Sequence, residues 1–168
     1  MKKIGLILAV VLLAACQKDK MAYVVNVKLF EDLNEKKAVD KKFEGKQTQF
    51  AKKRDSIGSL YQIEGERLQA ELARLSQKEQ NQRIEDYTKR RELVSRQLEQ
   101  ELQLIQAQGR EEMDSLISKV RKTIKQYGED NGYTYILSGG EGGSVLYGQE
   151  AMDITEEILA VLNKEEQE

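Results

Sequence analysis

The chain has 168 residues, of which a third are charged, 39% hydrophobic and only 6% aromatic, with no Pro, Trp or His and a single Cys. That length holds one domain, or a small domain with an extension, and the shortage of aromatic core formers argues for long charged helices beside a small packed region. The lack of His excludes an imidazole base or His-ligated metal, one Cys excludes an internal disulfide or Cys zinc cluster, and the absence of Pro permits very long helices.

Residues 1–15 read as an address. Met1-Lys2-Lys3 is basic, residues 4–13 are an apolar run of ten, and Leu13-Ala14-Ala15 brings small residues up to Cys16. A transmembrane helix needs about 20 apolar residues, so this is the pattern of a secretory signal peptide. The Leu-Ala-Ala-Cys ending resembles the bacterial lipobox, in which Cys16 becomes the acylated first residue of the mature protein. Acyl chains contribute about 0.8 kcal/mol per buried CH₂, so a multiply acylated Cys16 anchors the chain to a membrane. Residues 16–20 are then a lipidated N-terminal linker.

Residues 21–27 are β-branched and aromatic and predict a strand within a head segment spanning 21–30. Residues 31–127 predict a helical arm. Phe43, Phe50 and Ile57 recur every seven residues, and Tyr61, Leu68, Leu72 and Leu75 continue the stripe. Ser76-Gln77-Lys78-Glu79 is a capping box, which places the tip of a hairpin near residues 76–81. Beyond it, Ile84, Tyr87, Val94, Leu98, Leu102, Ile105, Leu116, Val120, Ile124 and Tyr127 keep mostly helical spacings. Each helix thus carries one narrow apolar stripe, enough to cover one neighbour and not two, as in an antiparallel coiled-coil hairpin. Leu75 is expected to face Ile84, and Leu72 to face Tyr87. Roughly 45 residues at ~1.5 Å each make an arm of about 65 Å. Gly45 and Gly109 fall within about one turn of each other in that pairing, and each costs about 1 kcal/mol against Ala, which marks them as hinge candidates.

Residues 128–168 return to β structure. Residues 133–137 alternate as a strand after the turn signal Asn131-Gly132, residues 144–147 form a third short strand across a Gly-rich loop, and Asp153 caps a helix carrying Ile154, Ile158, Val161 and Leu162. The charge changes with the structure: residues 31–127 hold 21 Lys/Arg and 18 Asp/Glu, residues 128–168 only 1 and 10. The predicted architecture is α+β, a long antiparallel helical coiled-coil hairpin inserted in a small β-rich head. A head of roughly 60 residues is marginal alone and has exposed strand edges, so oligomerisation through it is the natural solution.

The segments Ala22-Tyr23-Val24-Val25-Asn26, Asn131-Gly132-Tyr133-Thr134-Tyr135-Ile136-Leu137, Val145-Leu146-Tyr147 and Asp153-Ile154-Thr155-Glu156-Glu157-Ile158-Leu159, in this order around a helical hairpin, resemble the Skp (OmpH-like) family of periplasmic chaperones. The chain departs from that family at Asn26, where Asp is frequent, and at Gly148-Gln149-Glu150, where Ala-Asp-Pro is frequent. The resemblance implies a homotrimer whose β-rich trimerisation head carries three arms enclosing a cavity. It also implies ATP-independent holding of unfolded outer-membrane proteins in the periplasm of a Gram-negative-type envelope.

Such holding needs many weak contacts. Apolar residues off the seam are the candidates for client binding: Ile63, Leu93, Leu104 and Met113, of which Leu93 and Leu104, eleven apart, share a helix face. A basic tip of Arg74, Lys78, Arg83, Lys89, Arg90, Arg91 and Arg96 outnumbers nearby acids seven to four and suits acidic clients or anionic lipid phosphates. No catalytic constellation, metal or cofactor is expected, and the leader with the acidic head argues against nucleic acid. The alternative reading is a membrane-anchored structural or adaptor coiled-coil lipoprotein of the cell envelope, distinguished by lacking the trimer.

Overall fold

A computed structural model describes residues 19–165; the leader and Cys16 lie outside the described residues. The described chain divides into two units, a head (residues 19–36 and 117–165) and an arm (residues 37–116). As the α+β reading requires, two long helices accompany one small sheet. The elements run β1 (Met21–Val25), α1 (Asn26–Asp32), α2 (Asn34–Leu72), α3 (Gln77–Asp130), β2 (Tyr135–Gly139), a 3₁₀ turn (Glu150–Met152) and α4 (Thr155–Glu165).

In the head, β1 and β2 pair in parallel, from Met21 opposite Tyr135 to Val25 opposite Gly139. Parallel neighbours require a long crossover, and three helices lie between these strands in sequence. The core is small and tightly closed. Leu29 and Leu33 stand four residues apart, as do Ile158 and Leu162, so each pair shares a helix face. None of the four is more than 2% exposed, and Ala22, Val24, Val120 and Ile154 complete the buried set. Full burial of each large aliphatic side chain stabilises by roughly 1.5–3 kcal/mol.

Polar bonds stitch α4 to β1. Asp153 Oδ1 accepts from the Thr155 N–H at 2.9 Å and from the Thr155 hydroxyl. Thr155 Oγ1 accepts from the Val25 N–H at 2.9 Å, and the Ile154 N–H donates to the Tyr23 carbonyl at 3.0 Å. The helix start foreseen at Asp153 is thus also the joint that holds the end of β1. At the end of α3 the Tyr133 N–H reaches the Gly128 carbonyl at 2.9 Å across Gly132, whose φ is +68°. This is a Schellman closure, with glycine where a left-handed backbone is needed.

Two expectations for the head require correction. The first strand ends at Val25, and residues 26–32 are helical. Burial of Leu29 and Leu33 together decides it, leaving Val27 48% exposed on the other side of α1. Residues 144–147 are also not a strand: Val145 makes a single bridge to Gly139, and Leu146 and Tyr147 are 100% and 87% exposed. The backbone there serves Tyr23 instead. A Cβ at Gly148 would lie 2.4 Å from the Tyr23 ring and one at Gly139 would lie 2.6 Å from it, so the ring occupies space that only two glycines leave open.

Candidate functional site

The arm carries most of the residues singled out in the sequence. Its seam is set by Phe43 and Phe50, each 8% exposed, and by half-buried Ile57, Tyr61, Leu68, Leu72, Tyr87, Val94, Leu98, Leu102 and Ile105. Cross-helix pairs fix the register: Lys42 with Glu112 and Lys53 with Glu101, both at 2.6 Å, and Arg90 with Glu64 at 2.5 Å. The Phe43 ring packs on Gly109, where a Cβ would stand 3.3 Å from Cδ1. Tyr87 meets Tyr61 edge-on at 6.0 Å, and its hydroxyl donates to the Tyr61 carbonyl at 2.8 Å beside Gly65.

That register differs from the expected one. Tyr87 faces Tyr61 and Gly65, not Leu72, and Ile84 is 45% exposed instead of facing Leu75. Gln80 takes the apical place, donating to the Leu72 and Leu75 carbonyls at 2.8 and 3.0 Å. A polar side chain in the seam is invisible to a count of apolar periodicity. The helical break also falls earlier, since α2 ends at Leu72 and α3 begins at Gln77. Ser76 is the cap of α3, so the turn must precede it. Glu79 Oε2 accepts from both the Ser76 N–H at 3.0 Å and its hydroxyl at 2.6 Å. These bonds, hydroxyl first, hold the Glu79 carboxyl below its ordinary pKa.

Of the apolar candidates, Ile63, Leu93 and Leu104 are 46%, 52% and 62% exposed, while Met113 is half-buried. Leu60, 63% exposed, belongs beside Ile63 on α2 and escaped the sequence reading. Its signal was a position one residue off the Ile57–Tyr61 seam, three before Ile63 and so on the same face. Arg74, Lys78, Arg83, Lys89, Arg90, Arg91 and Arg96 are all exposed. Lys89 is paired with Glu85 at 2.5 Å, which raises the pKa of Lys89 and lowers that of Glu85, and Arg90 is paired with Glu64. Gly109 lies under the Phe43 ring, whereas a Cβ at Gly45 would meet nothing within 4 Å.

The head presents a second candidate surface. Beyond Leu146 and Tyr147, its exposed apolar residues are Met21, Val27, Tyr135 and Leu137. A groove of about 420 Å³ runs among Met21, Tyr23, Leu137, Val145, Leu146 and Tyr147. No described helix is long and apolar enough to cross a membrane.

A family model described as outer membrane protein (OmpH-like) matches residues 20–162, from the residue before β1 to the last buried Leu of α4. The chain belongs to the OmpH-like family. The same architecture occurs in the crystal structure of a Caulobacter crescentus protein proposed to be an OmpH-like outer membrane chaperone. The TM-score is 0.78 at 16% identity, over 88% of this chain and 85% of that one. Among curated proteins none matches. The OmpH-like match takes in both the head and the arm, so the closed seam and the exposed head edge both lie within the family's region.

Proposed function

We propose that this OmpH-like chain is an ATP-independent, non-enzymatic periplasmic holdase that keeps unfolded outer-membrane proteins from aggregating. The observation that carries the reading is the division of apolar residues on the arm. The seam residues are buried or half-buried against the opposing helix, while Leu60, Ile63, Leu93 and Leu104 are left exposed among charges. Dispersed, weak apolar contacts retain an unfolded segment without trapping it, and the surrounding charge keeps the arm itself soluble.

The head supports a homotrimer. Leu146 and Tyr147 have no cover within the described chain, and the sheet has only two strands. A two-stranded sheet is marginal by itself, and burying such an edge against sister subunits removes both defects. Three arms would then enclose the cavity that holds the client. Acylation of Cys16 would anchor the assembly closely. Only three residue steps separate Cys16 from Asp19, whose Oδ1 accepts from the Thr134 hydroxyl at 3.3 Å, so at ~3.5 Å a step the start of the head would lie within roughly 10 Å of the acylated residue. The basic tip, apart from the paired Lys89 and Arg90, remains available to acidic client segments or anionic lipid.

The test combines mass and protection. Light scattering on the mature protein is expected to give three copies, and a several-fold excess is expected to suppress aggregation of outer-membrane β-barrels diluted from urea. A monomer that leaves aggregation unchanged would favour an adaptor lipoprotein and end the holdase reading.

A further inference from the structure

Partway along the arm the seam has a gap. Gly58 on α2 and Ser95 on α3 both withhold bulk, and a groove of about 400 Å³ opens between the helices. A Cβ at Gly58 would meet nothing within 4 Å, so the glycine leaves space that no neighbour uses. Half-buried Ile57, Tyr61, Val94 and Leu98 line the groove, with the exposed guanidinium groups of Arg54 and Arg91 beside them. Arg54 is bound to Asp55 at 2.9 Å. Three nearby cations are likewise paired, Arg90 with Glu64, Lys89 with Glu85 and Lys53 with Glu101. Arg91 has no ion pair among the described residues.

We propose that this groove is a subsite for one aromatic side chain of an unfolded polypeptide, with Arg91 receiving an Asp or Glu next to that aromatic residue. It deepens the holdase reading and rests on it. The volume falls in the range of ligand pockets. Tyr61 and Tyr87 offer ring faces and edges to a guest ring, and an aromatic guest carries a large apolar area at small entropic cost. The same guest ring accepts a cation–π contact from a guanidinium. In an extended chain, successive residues advance about 3.3 Å, so a carboxylate one or two positions from the aromatic residue reaches a guanidinium at the groove. Of the arm's other grooves, the one near the Phe50 seam is flanked by Lys46 and Lys53, whose ammonium groups are already held by Gln108 and Glu101, and the one toward the tip brings Glu64, Glu71 and Asp86 in among its cations, which disfavours an acidic guest. Charge complementarity thus singles out the Gly58–Arg91 notch and an acidic–aromatic guest.

The protein has no Trp, so a Trp in a probe peptide reports without background. The probes are two unstructured peptides, each with one central Trp, flanked by Asp in one and by Lys in the other. With the mature protein, the Asp-flanked peptide is expected to show a blue-shifted emission and at least tenfold tighter binding than its twin. Gly58→Leu, which fills the notch with a better helix former, is expected to weaken binding at least tenfold. Gly45→Leu, the same change at an open helical position outside the groove, is expected to leave it unaltered. Arg91→Gln is expected to erase the preference for Asp flanks. Equal binding by the two leucine variants, or no flank preference in the wild type, overturns the proposal. Aggregation suppression by the same proteins separates the two ideas: a protective wild type whose Gly58→Leu form binds the peptide unchanged loses only the subsite. A wild type that protects nothing loses the holdase reading itself.

Discussion

The head and the arm solve the same problem, covering apolar surface, in opposite ways. The head concentrates it: Leu29, Leu33, Ile158 and Leu162 are at most 2% exposed, and Thr155 is buried with its hydroxyl bonded on both sides. The arm spreads it along a seam where, of residues 37–116, only Phe43, Phe50 and, at the end, Leu116 are buried. A concentrated core gives a small unit a fixed shape. A diffuse seam leaves each contact weak and many apolar side chains partly wet, which is the property a surface for transient capture needs.

The largest expected effect tests that contrast with matched truncations. Ile158→Ala removes a fully buried side chain and is expected to cost about 2–5 kcal/mol in denaturant unfolding, with the head lost first. Ile57→Ala removes the same atoms from a half-buried seam position and is expected to cost about half as much or less, since the atoms removed are already partly solvated. Equal losses would mean that the arm is as tightly packed as the head and would remove the basis for the comparison.

Much of this contrast is legible in the sequence, and the failures have physical reasons. The seven-residue spacing of Phe43, Phe50 and Ile57 marks the seam because an α-helix must present that stripe to a neighbour. The cap at Ser76 and the turn at Asn131-Gly132 are local backbone chemistry, readable from a few residues, and Asp153 before α4 is of the same kind. Register is not local. It is set by Gln80 on the Leu72 and Leu75 carbonyls and by Tyr87 fitting beside Gly65, neither of which follows from hydrophobic periodicity. The missing third strand has a similar origin. Val145, Leu146 and Tyr147 have strand-forming composition, but a strand needs a partner edge, and Gly148 is committed to the Tyr23 ring. Leu93 and Leu104 each precede a seam residue, Val94 and Ile105, by one position, and Leu60 stands in the same relation to Tyr61, so the offset that marks the first two marks Leu60 as well.

A smaller effect sharpens the comparison within the arm. Gly45 and Gly109 both weaken a helix, but they differ in what surrounds them. Gly45→Ala has free space and is expected to stabilise by up to about 1 kcal/mol. Gly109→Ala gains the same propensity but pushes a methyl to 3.3 Å from the Phe43 ring, so little or no net gain is expected. If the pair acts as a hinge in the assembled protein, the double variant also narrows arm-to-arm distance distributions measured between spin labels near residue 84. Unchanged distributions would leave Gly109 with a packing role only, as a place for Phe43.

The smallest effect lies where α3 begins. Glu79 is exposed, yet its carboxylate accepts two bonds from Ser76, which lowers its pKa in the folded arm. The sign follows from that direction. Above the ordinary glutamate pKa the carboxylate is charged whether the turn is folded or not, and the cap contributes fully. As pH falls through the depressed folded value the proton enters, an acceptor is lost, and the contribution disappears. The amides of the first α3 turn are therefore expected to lose hydrogen-exchange protection, relative to mid-arm amides, between the ordinary glutamate range and the folded pKa below it. Comparison is made after correction for intrinsic exchange rates. Glu79→Gln, which keeps an acceptor but cannot titrate there, is expected to hold a nearly constant ratio over the same interval. An identical acid response in both proteins would assign the fraying to the many other carboxylates of the arm, and the cap would then be a geometric stop for α3 without a titrating part.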